Sequence, residues 1–394
     1  MRRLLPLFVV CAALLLQSCS VLPFRRRPPQ PGRTTLEKPV VTLPAQVIGN
    51  FIIVEATWDR HGPYHFVVDT GSASTLVTPA LARRYGRGYS PTDAPRVRVA
   101  SAEGDITELP AATLRRFDLG DARFDDVPVL VYDCAALSAH LGLRIDGILG
   151  FPLFAHARLT LDYPHDRVLL QSPEAATSIA GTAVPFDDAN RTPVIHVRLG
   201  DRSMVVLLDS GSDSTFSVNP VGLDARFLSG PRPGATVGTI GGDHPQQIGR
   251  LAEDLGIAGY TVPRPVVDLT DELSAVGGGI LKYFTVTFDA TNDRVTFFRD
   301  SHGPILMPAR RSAGLSFSKT PAYWRVASVI PQSPADAAGI QFGDLVTRIN
   351  GEPVARWNLT RYEQLVATAD DVAFTLLFGT TEVVKTVKVF DLVP

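Results

Sequence analysis

The sequence predicts a mainly β protein made of two pseudo-symmetric β-barrel lobes and a separate C-terminal domain. Three observations predict this class. A strand-like block that ends in Asp-[Thr/Ser]-Gly-Ser occurs twice in the chain. Segments rich in Val, Ile, Thr and Phe alternate with Gly, Asp and Pro, and long helical periodicities are rare. The composition also shifts after Arg299, through two short clusters that contain Pro.

Length and charge set the first limits. A chain of 394 residues is too long for one ordinary hydrophobic core, so several domains are expected. With 45% hydrophobic residues, 20% charged residues and a formal net charge of -2, the chain has no electrostatic affinity for nucleic acid. No nucleic-acid partner is predicted.

The N-terminus combines positive charge with a short apolar stretch. Met1-Arg2-Arg3 precedes an apolar run from residue 4 to 16, which is too short to span a bilayer comfortably and is typical of an export signal over residues 1–18. The run ends in Leu16-Gln17-Ser18-Cys19, which resembles the bacterial lipobox. That resemblance implies a lipid-modified Cys19 and a place in the bacterial cell envelope, facing the periplasm. Ser20 after the cysteine favours the outer membrane. The alternative is an ordinary cleaved signal in which the cysteine has no role.

Residues 19–44 are predicted to form a flexible tether. They are polar, basic and rich in proline, with Arg25-Arg26-Arg27-Pro28-Pro29 near the start. In extended polyproline form the segment would reach roughly 80 Å, enough to hold a domain away from lipid headgroups. Alternatively, the arginines contact anionic lipid.

The repeated block defines the two lobes, predicted over residues 45–178 and 179–302. The first copy contains Asp69 and the second Asp209, an offset of 140. A second similarity relates the strand pairs that begin near Leu159 and Val286, an offset of 127. Each pair is expected to close its own lobe.

A single Asp-Thr-Gly is usually an ordinary turn. Two copies in two repeats are much more specific, and each is followed by a later apolar strand that ends in Gly, at residues 148–150 and 275–277. Hydrolysis of an amide without a covalent intermediate needs one group to deprotonate water and another to polarise the carbonyl, and two carboxyls that share a proton perform both tasks. A pseudo-two-fold axis would bring Asp69 and Asp209 together between the lobes.

Over about residues 46–299 the sequence resembles the retropepsin-like and pepsin-like aspartic peptidases with two fused lobes. The resemblance implies that Asp69 and Asp209 are catalytic. It assigns Gly71 and Gly211 to tight turns of the catalytic loops. It also implies that the hydroxyls of Thr70 and Ser210 brace the two loops. The hydroxyls of Ser72 and Ser212 are implied to bond the carboxylates. One departure from viral members is that Phe151-Pro152 follows Gly150, where Arg and Asp or Asn are common.

Two hairpin tips are candidates for flaps over the cleft. The first includes Gly104, in Ala100-Ser101-Ala102-Glu103-Gly104-Asp105, and the second includes Gly242, in the stretch from residue 237 to 243. The alternative is that both are ordinary mobile hairpins.

Residues 312–394 resemble a PDZ domain of the bacterial envelope-protease type. The segment Gly314-Leu315-Ser316-Phe317 is similar to the loop that binds a peptide carboxylate, which implies a C-terminal peptide as ligand. Ser333-Pro334 is expected to begin a short helix that ends at Gly339, and Asn350-Gly351 a tight turn. A longer helix is expected from residue 359 to 367. The alternative is that this domain only packs against the peptidase.

No metal site or cofactor is predicted, because the eight histidines lack ligand spacing and no paired cysteines occur. Cys134 is interpreted as a buried small apolar residue. The sequence therefore predicts an aspartic endopeptidase that cleaves envelope proteins, with protein or peptide substrates. The alternative is a catalytically silent peptide-binding scaffold with the same lipid anchor.

We expect an alkyne analogue of palmitate to label the full-length protein in a bacterial host and to leave Cys19→Ala unlabelled, since the acyl chain would be carried by residue 19. In-gel fluorescence after click chemistry measures the label. Equal labelling of both forms would exclude Cys19 as the anchor.

Overall fold

The computed structural model describes residues 32–58, 60–101, 104, 106–175, 178–223, 225–239 and 242–394. For 235–239 and 242–245 it describes the backbone alone. The predicted signal peptide and Cys19 lie outside these ranges. In the part of the chain that is described, no helix is both long and apolar enough to cross a bilayer.

The first lobe is built mainly from strands. Its strands are Arg33–Leu36, Val40–Ile48, Phe51–Trp58, His61–Asp69, Thr75–Val77, Arg96–Ala100, Ile106–Leu119, Ala122–Val131, Gly147–Gly150, Arg158–Asp162 and Arg167–Gln171. Its helices are Pro79–Tyr85 and Ala135–Leu141, with single 3₁₀ turns at Phe151–Phe154 and Tyr163–His165. The first strand lies inside the predicted tether and the second begins within it, so placing the end of the tether at Pro44 is wrong. Alternating burial in Val40–Ile48, with Val41 and Leu43 in the core, explains why this stretch joins a sheet.

The second lobe repeats the arrangement with fewer residues. Its strands are Thr182–Pro185, Val194–Leu199, Arg202–Asp209, Phe216–Val218, Phe227–Thr239, Gly242–Leu251, Leu255–Ile257, Tyr260–Val262, Val266–Leu269, Ala275–Gly277, Thr285–Asp289 and Arg294–Phe298. A short helix, Gly278–Leu281, follows the strand that ends in Gly277.

In both lobes the strand that ends in Asp lies parallel to the later strand that ends in Gly. Asp69 is paired with Gly150, and Asp209 with Gly277. Another short strand runs antiparallel on the far side of each Gly strand. The apolar residues ahead of each aspartate, such as Val68, are buried, which carries the carboxyl to the end of a fixed strand. This confirms the predicted strands at 148–150 and 275–277.

The strand pairs expected to close each lobe form hairpins within their own copies, and they also join the lobes to each other. Arg158–Asp162 and Thr285–Asp289 pair antiparallel at the centre of a six-strand layer shared by both lobes. The side-chain hydroxyls of Thr160 and Thr287 meet at 2.9 Å. The offset of 127 thus marks two strands that face each other across the pseudo-two-fold axis. The expected hairpins are therefore confirmed, while the pairing between the copies was not predicted, because it joins strands that are distant in the chain.

The C-terminal domain has its own apolar core, which includes Phe317, Trp324 and Phe374. Its strands are Arg310–Ser312, Leu315–Lys319, Trp324–Val329, Leu345–Ile349, Glu352–Pro353, Asp371–Phe378, Thr381–Lys388 and Phe390–Val393. Its helices are Pro334–Ala337 and Leu359–Thr368, with a 3₁₀ turn at Val354–Arg356.

The predicted local signals of this domain are confirmed. The Ser333 hydroxyl caps the short helix by accepting from the Asp336 N–H. Asn350 and Gly351 both have positive φ, 49° and 78°, as a tight hairpin turn requires.

Arg250 of the second lobe anchors the C-terminal domain. Its side chain is only 6% exposed. The guanidinium donates to the carbonyl oxygens of Pro394 at 2.6 Å, Pro308 at 2.7 Å, Arg264 at 2.9 Å and Met307 at 3.0 Å. One buried cation therefore holds the second lobe, the connecting segment and the C-terminal strand together.

An apolar cluster lies beside this anchor. Ile248 and Val266 of the second lobe pack with residues of the C-terminal domain, namely Ile330, Leu392 and Val393. Because these apolar side chains of the two domains are buried against each other, the C-terminal domain packs directly on the second lobe and is not attached by a free linker alone.

We expect Arg250→Met to lower the free energy of unfolding by about 3 kcal/mol, because it leaves four carbonyls without their charged donor. The midpoint of thermal unfolding should fall by about 6 °C or more. The control is Arg198→Met, since Arg198 is exposed on a strand of the same lobe. Equal midpoints for the two variants would contradict the anchoring role.

Candidate active site

The two loops that contain Asp-[Thr/Ser]-Gly-Ser meet at the boundary between the lobes. Asp69 and Asp209 are the last residues of their strands, and both residues are half-buried. The two carboxyls are close enough to share a hydrogen bond, which would place a proton on one of them. The structure therefore brings together the two aspartates that the sequence separates by 140 residues.

Four reciprocal hydrogen bonds brace the loops from below. The Thr70 hydroxyl donates to the Leu208 carbonyl at 2.6 Å and accepts from the Ser210 N–H at 3.1 Å. The Ser210 hydroxyl donates to the Val68 carbonyl at 2.7 Å and accepts from the Thr70 N–H at 3.0 Å. Both side chains are fully buried, so each hydroxyl uses its donor and an acceptor position in the other lobe. The arrangement is the cross-brace that the family resemblance implies.

The glycines of the loops serve a different purpose from the one expected. Neither Gly71 nor Gly211 has positive φ, so a tight turn does not require glycine here. A Cβ added to Gly71 would overlap the carboxyl of Asp209, and one added to Gly211 would overlap the carboxyl of Asp69. Each glycine is needed because the aspartate of the opposite lobe occupies the space that a side chain would fill.

The hydroxyls of Ser72 and Ser212 do not bond the carboxylates. The Ser72 hydroxyl donates to the Ser74 carbonyl at 2.8 Å, and the Ser212 hydroxyl to the Ser214 hydroxyl at 2.9 Å. Backbone donors take the expected place: the Ser72 N–H reaches Asp69 Oδ1 at 3.0 Å, and the Gly211 N–H reaches Asp209 Oδ1 at 2.9 Å. The expected hydroxyl role is wrong because a short serine side chain closes a turn within its own loop.

Burial raises the pKa of both aspartates. For Asp69, desolvation is the largest cause, and repulsion from Asp209 raises its pKa further, well above the usual range. For Asp209, desolvation raises the pKa, while the hydrogen bonds from Asp69 and the Gly211 N–H oppose the rise. The pair is therefore poised to retain one proton.

Tyr163 lies near the dyad and was not selected from the sequence. It is buried in the turn after the strand Arg158–Asp162. Desolvation, followed by the charges of Asp209 and Asp69, raises the pKa of its phenol, so the ring stays neutral. No sequence signal marks this residue, because its proximity to the aspartates arises from the sheet between the lobes.

The first hairpin tip reaches across to the second lobe. A Cβ on Gly104 would overlap the Glu272 carboxylate, and Gly104 has a φ of 81° that favours glycine. The predicted flap residue Gly104 therefore touches a loop of the opposite lobe. Gly242 starts the strand Gly242–Leu251 in the second hairpin, and the tip residues 240 and 241 lie outside the described ranges.

The predicted carboxylate loop of the C-terminal domain lies at one end of an edge strand. Gly314 is buried with a φ of 81°, and its carbonyl accepts from the Ile330 N–H at 2.9 Å. Leu315 and Phe317 point into the domain core, while the Ser316 hydroxyl lies 2.6 Å from that of Ser328. Any ligand contact in this loop therefore depends on backbone groups.

Other chemistry lacks a supporting arrangement in the part of the molecule that the structure describes. No cluster of three or more His, Cys, Asp or Glu side chains there is arranged to hold a metal ion. Cys134 is buried, and desolvation raises the pKa of its thiol to about 12, which confirms its interpretation as an apolar residue.

Two protein-family models match parts of the chain. Residues 54–153 match a protein-family model described as aspartyl protease, and residues 325–378 match one described as PDZ domain. The first match includes Asp69 and ends before Asp209. Among solved structures, the aspartic proteinase from Irpex lacteus is similar, with a TM-score of 0.42 and 14% identity over 66% of this chain and 98% of that one. No curated protein matches.

The chain therefore combines an aspartyl protease region with a PDZ domain in a mainly β fold. The aspartyl protease match supports a hydrolase, and the PDZ match suggests peptide binding.

We expect Thr70→Val and Ser210→Ala each to lower the free energy of unfolding by about 2–4 kcal/mol, since each leaves buried backbone groups of the other loop unpaired. The double variant should cost less than the sum, with a coupling of at least about 1 kcal/mol, because both hydroxyls belong to one set of bonds. Urea denaturation measures these changes. Thr42→Val, at an exposed strand position, should change stability by less than about 0.5 kcal/mol. Strict additivity would contradict the cross-brace.

Proposed function

We propose that this protein is an aspartic-type endopeptidase in which Asp69 and Asp209 activate water. The observation that carries the proposal is the pair of adjacent carboxyls, one from each lobe, that meet at the boundary between the lobes. Burial and mutual repulsion favour a single shared proton, which is the state that two-carboxyl amide hydrolysis uses. The four-bond brace below fixes the distance between the two groups.

The reaction follows from that protonation state. The ionised carboxyl takes a proton from a water molecule, which attacks the carbonyl carbon of the peptide bond. The protonated carboxyl donates a hydrogen bond to the carbonyl oxygen, where negative charge develops. The backbone N–H groups of Ser72 and Gly211 hold the carboxylate oxygens in position. Once the amine is protonated, the tetrahedral intermediate collapses and releases it.

A flap and an apolar rim favour extended peptides as substrates. Ile106 is 63% exposed and Leu273 is 44% exposed. Ile106 lies two residues after Gly104, and Leu273 follows Glu272. Gly104 and Glu272 are the residues that touch between the lobes. Apolar side chains in this position would be covered by binding of a peptide with hydrophobic residues. The PDZ domain would add recognition of a protein C-terminus beside the edge strand Leu315–Lys319.

We further propose that the enzyme acts in the bacterial cell envelope, anchored by lipid at Cys19 and facing the periplasm. The support is the N-terminal sequence pattern, with Ser20 favouring the outer membrane. Envelope proteins that expose unfolded segments would then be the substrates.

We expect Asp69→Asn and Asp209→Asn each to abolish cleavage of a peptide library by the fragment 32–394, with the double variant no worse than either single. The reason is that the two carboxyls act as one unit. Activity should fall on the alkaline side, where both carboxyls ionise. The matched control is Asp121→Asn, an exposed aspartate of the first lobe, which should retain activity.

The same variants test the raised pKa values. In the wild type the pKa values of the pair are raised in the folded state, so protonation of the pair stabilises that state. This stabilisation is complete below about pH 4 and is lost as the pH rises through the folded pKa values. In Asp69→Asn this loss should shrink, and thermal stability near pH 7 should hold or rise. Cleavage by Asp209→Asn equal to wild type would exclude the two-aspartate mechanism. Absence of cleavage by every form from acidic to neutral pH would favour the peptide-binding scaffold.

A further inference from the structure

The second catalytic loop is held from the first lobe by two contacts that its counterpart lacks. Asp213 lies four residues after Asp209. Its carbonyl accepts from Asn50 Nδ2 at 2.7 Å, and its carboxylate lies 3.5 Å from His140 Nε2. At the repeat offset of 140, the equivalent residue of the first loop is Ala73, which has no polar side chain. Asp213 therefore departs from the symmetry that otherwise relates the two loops.

The PDZ domain contacts both elements that hold Asp213. Lys319 Nζ donates to the carbonyl of His140, the penultimate residue of the helix Ala135–Leu141. The first residue of the PDZ helix, Leu359, packs with Leu141 in an apolar cluster of the first lobe. Leu359 also lies against Gly49, where an added Cβ would approach it to 2.8 Å. The turn that carries Asn50 is thus covered on its outer side.

Burial of the charged ammonium of Lys319 costs free energy, which a residue that only fills space would not require. Its side chain is 7% exposed, and desolvation lowers the pKa of its ammonium to about 8. The charges of Glu363 and Asp213 oppose this shift. Among the residues that the structure describes, the other partners of its ammonium are the more distant Phe317 carbonyl at 3.5 Å and the face of Trp324 at 5.4 Å. The contact with the helix end is therefore the main hydrogen bond that compensates the burial of this charge.

Asn50 is fully used in the same network. Its Oδ1 accepts from Lys282 Nζ at 3.0 Å while its Nδ2 donates to Asp213. Its backbone also lies close to Gly278, where an added Cβ would overlap the Asn50 carbonyl. Gly278 in turn donates its N–H to the Ser212 carbonyl at 2.8 Å, so this turn braces the catalytic loop at two points.

We propose that His140 and Lys319 are positioning residues for the catalytic loop of Asp209, through Asp213, so that the PDZ domain forms part of the framework of the active site. The inference rests on the proposed peptidase function and extends it: the domain affects the chemical step even for substrates that never enter its groove. The strand that ends in Lys319 is also the edge that a C-terminal peptide would extend.

The kinetic test uses a short peptide substrate with an amidated C-terminus, which offers no carboxylate to the PDZ loop. Lys319→Met should lower kcat about tenfold with KM nearly unchanged, because the loop loses its support while the cleft keeps its walls. Lys319→Arg, which can still donate, should recover most of the activity. His140→Leu should resemble Lys319→Met. The matched control is Lys388→Met, at an exposed position of the same domain, which should behave as wild type.

The second test needs no activity. Hydrogen exchange followed by mass spectrometry should show faster exchange over residues 209–218 in Lys319→Met and His140→Leu than in Lys388→Met, and the same difference in an Asp69→Asn background. If no form cleaves peptides but this exchange responds, the positioning role stands and the peptidase function fails. Unchanged exchange in both variants would overturn the proposal, whatever the activity, and so would a loss expressed in KM alone.

Discussion

The structure depends on the four hydrogen bonds by which Thr70 and Ser210 exchange backbone contacts between the lobes. They bury two hydroxyls and four main-chain groups where neither lobe alone could satisfy them. The two aspartates follow directly, because each precedes one of these residues in the chain. Once the brace forms, the carboxyls have no freedom to separate, and their shared proton is a consequence of that forced proximity.

The glycines extend the same reciprocity. Gly71 makes room for the carboxyl of Asp209, and Gly211 for that of Asp69. Each lobe therefore carries one residue whose identity is set by a functional group of the other lobe. Asp213 adds an unsymmetrical element, since the first lobe and the PDZ domain support only the second loop in this manner. The loop of Asp69 is thus positioned by contacts that the repeat explains. The loop of Asp209 is, in our proposal, also supported by the first lobe and the PDZ domain through Asp213.

Local patterns predicted much of this molecule. The strands before Asp69 and Asp209, the later glycine strands and the capped helix at Ser333 all depend on residues close in sequence, and each was found as expected. The partners of those elements in the fold were harder to predict from the sequence. The strand Arg158–Asp162 pairs both with Arg167–Gln171 of its own copy and with Thr285–Asp289 of the other copy, and only the first pairing follows from residues close in sequence. Tyr163 and Lys319 escaped assignment because their roles depend on neighbours that are distant in the chain, whereas the Ser72 hydroxyl was assigned wrongly because it bonds the Ser74 carbonyl within its own loop.

The sheet between the lobes also has a consequence for synthesis on the ribosome. The edge of the strand Arg158–Asp162 is covered by Thr285–Asp289, which is made about 120 residues later. At typical rates of translation that interval lasts roughly 6–25 s. During this time the first lobe presents an unpaired, largely apolar strand edge, which is a site for wrong pairing with other nascent chains. A holding chaperone that covers this edge until the second lobe is complete would raise the yield of folded protein.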